Sequence, residues 1–121
     1  PKTLVYQLSR YVNERAGWNL IPKAILEKEP SAELRPNQKD TDSIPEYNLL
    51  DAVLVDYIES DKSFNDLKKK GFAEKEIRRI IRMVDLNEYK RRQGPPGIKI
   101  TPKSFGKDRR LPITNRFTQT K

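Results

Sequence analysis

The side chains with chemistry to offer are cations, hydroxyls and carboxylates, because the 121-residue chain contains no histidine and no cysteine. Without Cys there are no disulfides and no thiolate metal sites. Without His the usual general base and the commonest metal ligand are missing. Catalysis would fall to carboxylates, Lys, Tyr or a metal held by oxygen. The densest candidate is Lys90-Arg91-Arg92, which runs into Gln93, Gly94, Pro95, Pro96 and Gly97. Its plain reading is a solvated helix end favoured by the dipole. The sharper readings are a nucleic-acid patch or a contact to a phosphorylated small molecule. Lys68-Lys69-Lys70 reads as a plain helix end, since Gly71 follows directly. Asp40 and Asp42 are oxygen ligands of the kind Mg²⁺ takes, but as a lone D-x-D they read as solvated turn residues. Ser31 is either a cap or a hydroxyl offered to a nucleotide, and nothing local decides between the two.

Charge sharpens the partner question. The net charge is +8, yet residues 1–61 carry seven basic and eleven acidic side chains, whereas residues 62–121 carry eighteen and six. The second half therefore calls for an anionic partner: phosphate, nucleic acid or an acidic surface. Hydrophobic and charged residues each make up 35% of the chain, a thin supply for an independent core in one small domain. The chain starts at Pro1 rather than Met and enters a helical pattern at once, so a piece of a longer protein is expected. No signal peptide is visible and no apolar run nears the roughly 18 residues of a membrane span.

The elements that must hold these side chains read as helices. In residues 3–15, Leu4, Leu8, Tyr11 and Val12 share one face and Gly17 closes the run. Pro22 and Pro30 bracket about two turns at most. Residues 31–46 have no apolar period and read as a long loop, the kind that is usually functional. Residues 47–59 place Leu49, Leu50, Val53, Leu54, Tyr57 and Ile58 on one stripe. A short helix follows, with Ser63 as its cap and Gly71 as its end. Residues 73–92 read as one further helix, with Ile77, Ile80, Ile81 and Val84 inside. Its acids Glu74 and Glu76 start it and Lys90, Arg91 and Arg92 finish it, in the order the dipole favours. Beyond Gly94 the chain is irregular. No stretch reads as a strand and no repeat is present. The class is mainly α: about four helices and two long loops, whose apolar stripes need further protein to cover them.

Three runs carry a resemblance. "IPKAILEKEPSAELRPNQKDTDSIPEYNLLDAVLVDYIE" (residues 21–59), "NEYKRRQGPPGIKITPKSFGKDRRLPITNRF" (residues 87–117) and "KTLVYQLSRYVN" (residues 2–13) resemble the second half of the synthetase domain of NAD⁺ synthetases. They look most like the long, glutamine-dependent members. The resemblance implies that residues 1–121 are a C-terminal part of a Rossmann-like α/β domain of the N-type ATP pyrophosphatase class. It implies a ligase acting in NAD biosynthesis, in which ATP, with Mg²⁺ screening its phosphates, adenylates deamido-NAD⁺ and ammonia from glutamine then displaces AMP. Implied too are a cytoplasmic enzyme that is at least a homodimer, with no membrane and no nucleic acid among its partners.

Residue by residue, Lys2 matches the family lysine that contacts ATP. Ser31 matches the hydroxyl of "P-[ST]-A-[DE]-L" that also contacts ATP. Lys90 matches the lysine of "E-[HY]-K-R" that contacts deamido-NAD⁺. Tyr89 stands where shorter members have His, and its ring retains the means to stack or hydrogen-bond. The loop 35–44 matches one that closes over ATP. No metal ligand and no catalytic residue is assigned in this stretch. The family's glycine-rich "S-G-G-x-D-S" loop, its substrate-binding arginine, its magnesium-binding acid and its glutaminase Glu-Lys-Cys set are not among these residues, so the stretch by itself is expected to be inactive. The rival reading is a basic helical nucleic-acid-binding module; within its cation-rich segment 88–110, Tyr89 and Phe105 are the only aromatics. A third gives the tail 94–121 mainly to subunit packing.

Overall fold

The structure is a computed structural model and describes residues 1–114. Every regular element among them is helical and none is a strand. The chain divides into two compact units, with the boundary inside one helix, between Asp51 and Ala52.

The first unit opens with α1 (Lys2–Ala16). Gly17 ends it in the left-handed conformation at φ 72°, where its N–H donates to Asn13 O and Glu14 O, and where a residue with a Cβ would be strained. Asn13 then latches the returning chain: its Nδ2 donates to Ile21 O at 2.9 Å and its Oδ1 accepts the Ile21 N–H at 2.8 Å. The short α2 (Lys23–Glu27) begins directly after its N-cap Pro22, whose carbonyl accepts the Ile25 and Leu26 N–H groups. The expected loop 31–46 is largely irregular but contains one 3₁₀ turn, Asp40–Asp42. That turn exists because its acids have work: Asp42 accepts the Lys39 N–H at 2.9 Å, and Asp40 is taken up by Tyr47. The expected face of α1 is present as a stripe, but Leu8, Tyr11 and Val12 all stay exposed.

The second unit holds the core. α3 (Tyr47–Leu54) starts in the first unit and continues into a single π turn, Val55–Glu59. There the Ser60 N–H donates to Val55 O, five residues back, and Asp56, Tyr57 and Ile58 are all buried. With Val53, Leu67 of α4 (Phe64–Lys69) and Ile77, Ile80, Ile81 and Val84 of α5 (Glu74–Leu86), they form the buried centre. Ser63 caps α4 as the sequence suggests: its Oγ accepts the Asp66 N–H, and Asp66 Oδ2 accepts the Ser63 N–H at 3.0 Å. Ser63→Ala is therefore expected to cost about 0.5–2 kcal/mol, read as a lower urea midpoint of the full-length protein. An unchanged midpoint would mean water replaces the cap.

The single helix expected over 73–92 is two. α5 stops at Leu86 and α6 (Glu88–Gln93) begins after Asn87. The cause is local. The Asn87 side chain donates to Met83 O at 2.8 Å, competing with the backbone ladder, and its own carbonyl starts the next helix. Glu74 and Glu76 therefore open one helix while Lys90, Arg91 and Arg92 close another. The count likewise rises from about four helices to six α-helical segments among the described residues.

Candidate functional site

Lys2 and Ser31, distant in sequence, line one cavity of about 310 Å³ in the first unit, with Tyr6, Ser9, Glu29 and Asp40. Lys2 is the first residue of α1, and its Nζ lies 5.6 Å from the Tyr6 ring centroid. It forms no ion pair among the described residues. Ser31 does both things the sequence left open. Its Oγ accepts the Glu33 N–H at 3.0 Å, closing a turn in which Glu33 sits at φ 53°, and its own proton has no hydrogen-bond acceptor among the described residues. A second cavity of about 650 Å³ shares Ser31, Lys28, Glu29 and Glu33 with the first and continues along residues 34–39.

The carboxylates around Ser31 are engaged. Glu33 pairs with Lys28 at 2.6 Å and is held below the usual glutamate range, first by that hydrogen bond. Glu29 pairs with Lys39 at 2.6 Å. Asp40 accepts from the Tyr47 hydroxyl at 2.5 Å. Among the described residues no three acids converge as a metal-holding group. Asp42 is the exposed turn residue expected of it, whereas Asp40 is partly buried and structural.

The basic run of α6 splits by role. Arg91 and Arg92 fold back onto Glu88, which is 1% exposed: Arg91 Nη2 donates to Oε2 at 2.8 Å and Arg92 Nε to Oε1 at 3.0 Å. Arg110 approaches the same carboxylate at 3.8 Å, and Arg91 Nη1 also donates to Val84 O at 2.7 Å. Burial pushes the Glu88 carboxyl up, but the hydrogen bonds from Arg92 and Arg91 outweigh it and hold the group below the usual glutamate range. Lys90 is left over. It is exposed, forms no ion pair among the described residues, and sits 5.9 Å from the ring centroid of the half-exposed Tyr89. Tyr89 and Lys90 are thus presented together, in the second unit.

Most of the tail's other cations are also occupied. Lys99 pairs with Asp108 at 2.7 Å, and Lys103 pairs with Asp61. Arg109 stacks on the Tyr57 ring at 3.8 Å. Arg91 lies over the Phe105 ring at 4.9 Å, so one face of that aromatic is already engaged although the residue stays exposed. Lys68 and Lys70 are not simply solvated either: Lys68 reaches Glu74 at 2.8 Å, and Lys70 and Lys62 converge on the buried Asp56. The sequence shows Glu88 as one of two acids among the cations of residues 88–110 but gives it no role by composition alone. Its signal was available, since Arg91 and Arg92 stand three and four residues on, the helical pairing distance. The Asn115-Arg116-Phe117 end of the last motif lies outside the described residues.

Comparison with known proteins agrees with the motifs. The sequence model of the NAD synthase family matches residues 1–94. The glutamine-dependent NAD(+) synthetase of Acinetobacter baylyi is 48% identical over 114 residues, covering 94% of this chain and 21% of the relative. That of Thermotoga maritima is 44% identical over 98% of this chain and 20% of the relative. The structure of the glutamine-dependent NAD+ synthetase from Acinetobacter baumannii in complex with adenosine diphosphate aligns over 98% of this chain and 20% of its own, with a TM-score of 0.58 and 38% identity. This chain therefore spans about a fifth of the length of these relatives. With most of its residues under the family's sequence model and relatives near half identical along nearly all of it, the chain belongs to the NAD synthase family.

Proposed function

We propose that this chain is a C-terminal part of the synthetase domain of a glutamine-dependent NAD⁺ synthetase, a ligase of NAD biosynthesis. The observation that carries the reading is the convergence of Lys2 and Ser31 on one cavity, in a chain similar to an ADP-bound synthetase. In this reading the carboxylate of deamido-NAD⁺ attacks the α-phosphorus of ATP, pyrophosphate leaves, and ammonia derived from glutamine attacks the acyl carbon to release AMP and give NAD⁺. Lys2 and Ser31 contact ATP; Lys90, with Tyr89 beside it, contacts deamido-NAD⁺. Lys2 supplies a point charge and Ser31 a donor, the parts a polyphosphate needs as its charge redistributes.

Mg²⁺ in this reading travels on the triphosphate, which suits an ion that keeps its waters and binds mainly through substrate phosphates. The engaged acids around Ser31 fit that division, and no residue of this chain is assigned to the metal. The parent is read as a Rossmann-like α/β domain in an enzyme that is at least a homodimer and works in the cytoplasm. The 121 residues alone are inactive, because the glycine-rich loop is not among them. No helix among the described residues is long and apolar enough to cross a membrane.

The test is AMP formation by the full-length protein, dependent on both ATP and deamido-NAD⁺. Lys90→Ala is expected to raise the apparent KM for deamido-NAD⁺ about 10- to 150-fold, the range of one hydrogen bond to a charged group, with the KM for ATP little changed. An unchanged Lys90→Ala would reduce Lys90 to an exposed helix end. A wild type that makes no AMP would sink the whole reading.

A further inference from the structure

Tyr47 and Asp51 stand one turn apart at the start of α3, so their side chains share a face. Asp51 is 6% exposed, and its Oδ2 accepts the Thr3 backbone N–H at 2.7 Å. That N–H is one of the donors a helix start leaves without an intrahelical partner, and Pro1 gives it no side-chain cap. Asp51 thus caps α1 from 48 residues away in sequence, with a carboxylate at the end of the dipole that favours it. Tyr47 ties down the loop that carries Ser31. Its hydroxyl donates to Asp40 Oδ2 at 2.5 Å, and the Asp40 N–H donates to Pro30 O at 2.9 Å, directly before Ser31. Burial, and then Asp40, push the Tyr47 hydroxyl up to about 12, so it remains a donor at any working pH.

We propose that Tyr47 and Asp51 are positioning residues of the ATP site: one turn of α3 holds the α1 start that carries Lys2 and the loop that carries Ser31 at a set separation across their shared cavity. The inference rests on the reading of Lys2 and Ser31 as nucleotide contacts. Its physical content is distance. Two groups that must meet one polyphosphate lose their advantage when either drifts by about an ångström. Both tethers are short and part-buried, and both come from the same turn of α3. The Thr3 N–H, already taken by Asp51, is not available to a phosphate, so at this helix start the contact falls to the Lys2 ammonium.

The test uses the full-length protein, with ADP affinity by calorimetry beside steady-state AMP formation. Asp51→Ala is expected to weaken ADP binding and raise the KM for ATP about 5- to 20-fold, leaving the KM for deamido-NAD⁺ within about twofold. Asp51→Asn keeps an oxygen acceptor and is expected to restore most of the loss. In a Lys2→Ala background, Asp51→Ala is expected to add nothing, because a residue acting through Lys2 has nothing left to place. Tyr47→Phe removes only the hydroxyl and is expected to give about 3- to 10-fold in the same direction; it carries the test if Asp51→Ala fails to fold. Unchanged ADP binding in the folded variants, or an Asp51→Ala loss that adds in full to Lys2→Ala, overturns the positioning role and leaves the ATP reading standing. A wild type that neither binds ADP nor makes AMP overturns the ATP reading and this inference with it.

Discussion

Glu88→Ala is expected to destabilise the second unit by about 3–5 kcal/mol, the cost of breaking a buried ion pair from one side. The carboxylate is 1% exposed and answers two hydrogen-bonded guanidinium groups, with a third at 3.8 Å. Arg91 is itself nearly buried, 9% exposed at the side chain, so deleting Glu88 strands a cation where water cannot reach it well. Glu88→Gln keeps the oxygen acceptor and loses the charge, so a smaller cost is expected. The effect also has a pH signature. A carboxyl whose pKa is lower folded than unfolded adds stability above its unfolded value, about 4.3. That stability fades as pH falls through the lower folded value. The gap between wild type and Glu88→Ala is therefore expected to be full near neutrality and to shrink in acid. Chemical unfolding of the full-length protein, or hydrogen exchange of the α5 and α6 amides, reads it. A cost under about 1 kcal/mol, the range of a surface pair, would mean the knot is open to water.

This cluster shows where sequence reading succeeds and where it stops. Apolar period finds the side chains that want burial: Val53, Tyr57, Ile58, Ile77, Ile80, Ile81 and Val84 are core as their spacing requires. It does not say whether a stripe finds a partner, and Leu8 and Tyr11 of α1 stay exposed despite a regular face. Caps encoded by a single residue were legible, as at Ser63 and Gly17. Departures that depend on a side chain turning against its own helix were not, as at Asn87 and in the π turn after Leu54. Charge was the least legible property. The excess of cations after residue 62 points to an anionic partner, yet most of those around α6 and the tail are consumed internally by Glu88, Asp61 and Asp108. Of the three cations of α6, Lys90 is the one that remains presented.

Lys2→Ala is expected to lower kcat/KM for ATP about 10- to 150-fold without lowering stability. The size follows from one hydrogen bond to a charged group, about 1.5–3 kcal/mol, at 1.36 kcal/mol per decade. The unchanged stability follows from position. Lys2 is the first residue of α1, where the dipole presents its positive end and a cation is disfavoured by about 0.3–1 kcal/mol. Asp51 caps the neighbouring Thr3 N–H, but Lys2 itself forms no ion pair among the described residues, and its Nζ lies 5.6 Å from the Tyr6 ring centroid. A helix under selection for stability alone would place an acid there, as α5 does with Glu74 and Glu76. In the proposed reading, a cation that costs its own helix something and lines a cavity together with Ser31 meets an anion there. Ser31→Ala, which removes a neutral donor, is expected to cost only about 2- to 13-fold. Kinetics against ATP and against deamido-NAD⁺, with thermal unfolding on the same preparations, separates the cases. A loss for ATP with an equal or higher melting temperature is the signature of a ligand contact. A fall in melting temperature with a proportionate loss for both substrates would make Lys2 a structural residue and remove it from the site.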